Sequence, residues 1–375
     1  SSLTLIVVSL RRPLCPTQYR FFYRRGNFRK NHGKFREFSR NSQGISRKFL
    51  ECSGKSREYS RGIRRNFCSK DGDIETEKVR YMDGDMWIYQ RIGYATFTVF
   101  RTPKGGIKSS EGREKFLIFI GGLGDGLLAT NYVPPLSTEV NKLGFTLLQP
   151  LLRSSYQGFG ISSISKDTKD ISNLVRHLRK DHPKALIVLM GHSTGCQDAV
   201  SYCKLCHTQK KPEERINGII LQAPVNDPEY FSLEGKKTEK YLKLAREMVS
   251  KRRGRELMPR ECLFAPITAD RYISLADRGG PDDLFSSTFE KWELESYASI
   301  DVPTLILPSG SDEAIPETVD KKAVLERLES EIKKRNNYVK SRIIPNADHA
   351  CKSPEATAAV VKEVVGFLRT AYPTQ

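Results

Sequence analysis

The sequence lacks any apolar run near the roughly 20 residues that a bilayer-crossing helix needs. Its conspicuous runs, 3–10 and 185–190, are far shorter, so no stable membrane span is expected. A cysteine framework is also missing. The 8 cysteines fall at 15, 52, 68, 196, 203, 206, 262 and 351 without regular spacing, which points to reduced thiols in a non-secreted protein. No internal repeat of the solenoid kind is present. Acidic residues are scarce in the first 70 positions: 18 Lys or Arg stand against three acids, Glu37, Glu51 and Glu58, a balance of +15. Residues 71–375 then hold 62−18=44 basic and 44−3=41 acidic residues, so the net +18 belongs almost wholly to the N-terminal segment. No nucleic-acid partner is expected from the remainder, which is nearly neutral.

Few acids with many Arg and Ser make residues 1–70 resemble an organelle presequence in composition. The segment is expected to be disordered, to meet the organelle import machinery, and to direct the chain to a chloroplast or mitochondrion, with a cytoplasmic location as the alternative. A secretory signal fits less well, because no basic stretch precedes residues 3–10 and no small-residue cleavage site follows them. Arginines interleaved with Phe21, Phe22, Tyr23, Phe28, Phe35 and Phe38 leave a nucleic-acid-binding arm as a further reading. An acidic linker, 71–86, leads into the folded part at 87–375.

From there, strand-like runs of Leu, Ile, Val and Phe at 94–100, 116–120, 145–149, 185–190, 218–222, 304–307 and 341–344 alternate with helix-like segments at 131–142, 166–181, 196–207, 320–334 and 354–369. That alternation predicts an α/β fold, a mainly parallel sheet with helices on both faces. It is interrupted at 226–297, where no clear strand occurs; a helical insertion after a strand's C-terminal end is placed to act as a lid.

The chemistry centres on Gly191-His192-Ser193-Thr194-Gly195, which lies between a buried strand and a helix. In that setting GxSxG reads as a nucleophile elbow, a turn so sharp that side chains two residues away on either side would clash. A serine hydroxyl needs a base within hydrogen-bond reach. Histidine is sparse, with 6 in the chain. His32 lies in the tail, His177, His182 and His207 lie on or beside helices, and the turn directs His192 elsewhere. His349, on a loop after the last strand, remains as the base. Asp312, in SGSDEAIP after the strand 304–307, is the acid to orient it, with Glu313 and Asp348 as neighbours to be distinguished. The backbone N–H groups of Leu123, in the glycine-rich loop GGLGDGLL, and of Thr194 are the expected oxyanion donors. That loop lacks the Lys and Ser/Thr of a P-loop and the spacing of a dinucleotide site. Cys203, Cys206 and His207 spell CKLCH, a haem-attachment pattern, but on a helix they read as packed side chains. No cofactor and no metal are expected.

Taken together, GGLGDGLLATNYVPPL, RSSYQGFG, GHSTGCQD, QAPVNDPE and SGSDEAIP resemble the α/β-hydrolase superfamily over about 87–372. More narrowly, they resemble a fungal and plant branch related to fusarinine C (siderophore) esterases. The resemblance implies Ser193, Asp312 and His349 as a triad, in agreement with the reading from residues. The expected activity is that of a serine hydrolase acting on a small-molecule carboxylic ester, with Tyr156, Phe159, Tyr230 and Phe231 in the pocket wall. A thioesterase, peptidase or acyltransferase could use the same triad, and a non-catalytic binding protein could use the same scaffold.

Overall fold

In the computed structural model the described residues are 82–103, 113–209 and 211–373. The basic N-terminal segment and the linker up to residue 81 lie outside them.

Among the described residues, eight strands form one sheet in the order β1-β2-β4-β3-β5-β6-β7-β8. They are β1 Asp85–Ile92, β2 Ala95–Arg101, β3 Lys115–Ile120, β4 Phe145–Pro150, β5 Leu186–His192, β6 Gly218–Gln222, β7 Thr304–Leu307 and β8 Val339–Ser341. β1 pairs with β2 and β2 with β4 in antiparallel fashion, and every pair from β4/β3 through β7/β8 is parallel. The parallel strands β3 to β6 are buried along their whole length, as continuous apolar runs require when both faces are covered. β1 was not foreseen: DMWIYQRI is largely exposed and carries little apolar alternation. Paired only at the sheet edge, it needs none. The strand expected at 341–344 starts earlier, at Val339, because β8 pairs with Thr304 to Ile306. Residues 342–344 continue the edge through Arg342 N–H to Ile306 O and Ile344 N–H to Pro308 O, both 2.9 Å.

The helices are α1 Val133–Asn141, α2 Ile164–Asp181, α3 Thr194–Gln209, α4 Asp227–Ser232, α5 Lys236–Ser250, α6 Ala269–Ala276, α7 Lys291–Leu294, α8 Lys321–Lys333 and α9 Pro354–Ala371. One core gathers α2, α3 and α8 against the sheet, and a second gathers α1 and α9 against its other face. The expected insertion proves to be two things. Phe231, Tyr241, Ala245, Met248, Ile267 and Tyr272 form a small core of their own within α4 to α6. By contrast Phe285, Phe289, Tyr297 and Ile300 join the main core beside α3. The lid proper therefore ends before Phe285, and the remainder of 226–297 belongs to the crossover from β6 to β7.

β3 pairs on one side with β4, the next strand in the chain, and on the other with β5, so the path reverses at β3. Such a switch point opens a crevice at the carboxyl ends of the strands. The register aligns Ile120 with Gly191, His192 with Gln222, and Gln222 with Leu307. The loops that follow these residues carry the chemistry.

Candidate active site

Ser193 takes the left-handed backbone conformation, with φ 53°. The glycines flanking it have a steric cause. A Cβ on Gly191 would lie 2.2 Å from Gly195 O, and one on Gly195 would lie 2.4 Å from Ile120 O. The turn is pinned by Ser193 N–H to Gln222 O at 3.1 Å, and α3 starts from it through Cys196 N–H to Ser193 O at 2.8 Å. Strand, elbow and helix therefore pack too closely for any side chain at either position.

His349 lies on the loop between β8 and α9. Its Nε2 is 2.7 Å from Ser193 Oγ, and its Nδ1 is 2.9 and 3.0 Å from Asp312 Oδ1 and Oδ2. With a carboxylate at Nδ1, that nitrogen carries the proton and Nε2 is left to accept from the serine hydroxyl. Asp312 is buried and also accepts from Ala314 N–H at 3.0 Å. The neighbouring acids have other work. Glu313 accepts from the backbone N–H of His349 at 2.8 Å, and Asp348 accepts from Lys352 N–H at 2.7 Å.

His192 faces away from the serine hydroxyl but stays beside the imidazole of His349, with ring centroids 5.0 Å apart. Its Nδ1 is 2.6 Å from Gln222 Oε1, which also accepts from Tyr132 OH at 2.8 Å. Burial, and then the neighbouring His349, push its pKa down to about 3, so it is a neutral ring beneath the base.

On the other side of Ser193, the 121–126 loop folds back on itself. Gly122 N–H donates to Asp125 Oδ2 at 2.7 Å, and Asp125 N–H donates to Gly122 O at 3.1 Å. A Cβ on Gly122 would stand 2.8 Å from Ser193 Cβ and 3.2 Å from its Oγ, so the loop backbone lies against the nucleophile. With the Gly122 amide engaged, the amides of Leu123 and Thr194 have no acceptor among the described residues. Thr194 heads α3, where N–H groups lack intrahelical partners.

A narrow pocket, with an interior of about 20 Å³, adjoins this loop and is bounded by Phe159, Asp167, Thr194, Asp198 and Arg271. Of the four aromatic residues expected in its wall, Phe159 is there. Tyr156 is instead half exposed, its hydroxyl 3.5 Å from Leu127 N, and it packs over Gly126. Tyr230 is exposed and makes an edge contact with Phe231. Phe231 turns into the lid's own core against Tyr272, because the face of α4 that carries it packs on α6. Cys203 and Cys206 are buried on α3, Cys206 donating to Glu214 O. The acids Asp167 and Asp198 and the buried Arg271 were not foreseen. On helices read as amphipathic, charged residues pass for the solvated face, and the apolar neighbours of Asp198 in GCQDAV were the one available signal.

Serine, imidazole and carboxylate in hydrogen-bond succession, in the chain order Ser, Asp, His, at the carboxyl ends of a mainly parallel sheet define an α/β-hydrolase. Residues 98–369 match the family described as "Protein of unknown function (DUF1749)", and the chain belongs to that family. The UPF0613 protein PB24D3.06c of Schizosaccharomyces pombe is 33% identical over 279 residues, covering 68% of this chain and 87% of that protein. Fusarinine C esterase sidJ of Aspergillus fumigatus is 28% identical over 314 residues, covering 67% and 88%. Among solved structures, the siderophore hydrolase EstB from Aspergillus fumigatus superposes with a TM-score of 0.67 at 27% identity, covering 78% of this chain and 98% of that one. With this fold and such relatives, the chain is a carboxylic ester hydrolase.

Proposed function

We propose that the chain cleaves its ester through an acyl-enzyme on Ser193. His349 Nε2 takes the hydroxyl proton as Ser193 Oγ attacks the ester carbon, and the Leu123 and Thr194 amides receive the developing oxyanion. His349 then gives the proton to the departing alcohol. In the second half it takes one from water as the water oxygen attacks the acyl carbon, and returns it to Ser193 Oγ as the acyl–oxygen bond breaks. Asp312 holds the tautomer and stabilises the imidazolium in both halves. What supports this reading is the unbroken succession of Ser193 Oγ, His349 Nε2 at 2.7 Å, His349 Nδ1 and Asp312 at 2.9 Å. The relatives' names suggest small-molecule esters of the siderophore kind as the first substrates to try.

A fluorophosphonate probe tests the reading. Wild type is expected to be labelled on Ser193, and Ser193→Ala to lose both labelling and ester turnover. Wild type that hydrolyses esters without being labelled, or is labelled elsewhere, would sink it. Residues 1–70 are proposed as an organelle presequence; a reporter carrying them that stays in the cytosol would refute that.

A further inference from the structure

Asp198, one helical turn beyond Ser193, lies within electrostatic reach of Asp167, Asp227 and Asp282, and Arg271 is the cation facing them. That guanidinium is engaged in part: Arg271 Nη1 donates to Asp282 Oδ2 at 2.6 Å and Nε to Phe159 O at 3.0 Å. The next one, Arg153, is held by Asp170, Nε to Oδ2 at 2.9 Å. Asp167 accepts from Ser162 Oγ at 3.1 Å. Asp198, Asp227 and Asp282 each keep one buried oxygen without a partner among the described residues, and of the three Asp198 borders the pocket. Asp198 is 4% exposed, yet its Oδ1 has no hydrogen-bond partner among the described residues. Burial first, and then the surrounding carboxyls, push its pKa well up, and burial raises that of Asp167 to about 6. A buried carboxyl without a donor is destabilising unless something entering the pocket supplies one.

The same pocket is bounded by Gly122 and Thr194, which adjoin Ser193. A group held there can therefore belong to a molecule whose reacting carbon reaches the nucleophile. Resting on the Ser193 reading above, we propose that the pocket takes a protonated amine on the acyl part of the ester, with Asp198 as its chief acceptor and Asp167 as the second. An ammonium brings three N–H donors and no acceptor, which suits Asp198, whose Oδ1 has no donor among the described residues, with the Asp167 carboxyl beside the same pocket. An anionic group would meet those two carboxyls beside a guanidinium already paired with Asp282. An alkyl group would leave Asp198 as it is.

The test compares p-nitrophenyl 3-aminopropanoate and 6-aminohexanoate with butanoate and heptanoate, their methyl isosteres, and with 6-hydroxyhexanoate. At one of the two lengths, kcat/KM for the amine ester is expected to exceed that of its isostere by at least about tenfold, or about 1.4 kcal/mol. Asp198→Asn should cut that ratio at least about tenfold, whatever happens to the separate rates, with Asp167→Asn acting in the same direction. Labelling by an uncharged fluorophosphonate reports whether each variant keeps its site, and the wild-type ratio decides even if neither does. Wild type that prefers the alkyl or hydroxyl ester, or a ratio untouched in both variants, overturns the proposal while leaving Ser193 esterolysis standing. Absence of both labelling and hydrolysis for every ester would overturn the two together.

Discussion

Asp312→Asn isolates the charge behind His349 from its geometry. The amide keeps the size of the carboxylate and one oxygen for Ala314 N–H, but removes the negative charge that faces Nδ1 at 2.9 and 3.0 Å. When Ser193 gives up its proton the imidazole becomes cationic, and that cation's attraction to Asp312 is lost. For charge centres about 4 Å apart at an effective dielectric near 20, this is about 4 kcal/mol. The expected fall in kcat is therefore about a thousandfold, because the interaction exists chiefly in the transition state. KM should change little. The control is Glu313→Gln, whose carbonyl can still accept from His349 N–H and which therefore should cost about threefold or less, under 1 kcal/mol. Steady-state hydrolysis of a p-nitrophenyl ester, with thermal melts to verify folding, measures both. A loss under about tenfold in Asp312→Asn, or a larger one in Glu313→Gln, would refute the assignment of the acid.

Gly195→Ala should abolish fluorophosphonate labelling and lower the melting temperature, since its Cβ would meet Ile120 O at 2.4 Å and Gly121 O at 2.7 Å and α3 must move off β3; a labelled variant of normal melting temperature would contradict the packing argument. Replacing Arg271 by Met strands Asp282 among other acids and should cost about 3–5 kcal/mol in urea unfolding; a loss under about 1 kcal/mol would mean that the pair adds nothing. His192 has a depressed pKa, about 3 when folded against roughly 6.5 unfolded, so the stability it lends is full above 6.5 and is lost as pH falls towards 3. Between pH 7.5 and 5.0, wild type should therefore lose about 2 kcal/mol more than His192→Asn, and equal losses by chemical denaturation would refute a buried neutral ring.

The elbow and its partners were legible because sterics and chemistry restrict them to few residue types. Gly191 and Gly195 admit no substitute, and six histidines left one on a loop at a strand's end. The buried strands were legible for a similar reason, since burial on both faces demands unbroken Leu, Ile and Val. β1 was not, because an edge strand facing solvent needs no such pattern. The direction of Phe231 and the division of 226–297 depend on which helices meet, and α4 to α6 are amphipathic in a way that fits either a pocket or a private core. Asp167, Asp198 and Arg271 escaped notice because a charged residue on a helix announces its burial only through what surrounds it in space.

The lid's separate core has a consequence for how such a hydrolase diversifies. Phe231, Tyr241, Met248 and Tyr272 hold α4 to α6 together without help from the sheet, while the chain re-enters the main core at Phe285. Changes of shape there fall first on α4 to α6, and they reach the site through Leu123, which packs on this core, and through Arg271, which donates to Phe159 O at 3.0 Å. Two proteins of this architecture could therefore part company in substrate through these two contacts while keeping the same Ser, His and Asp.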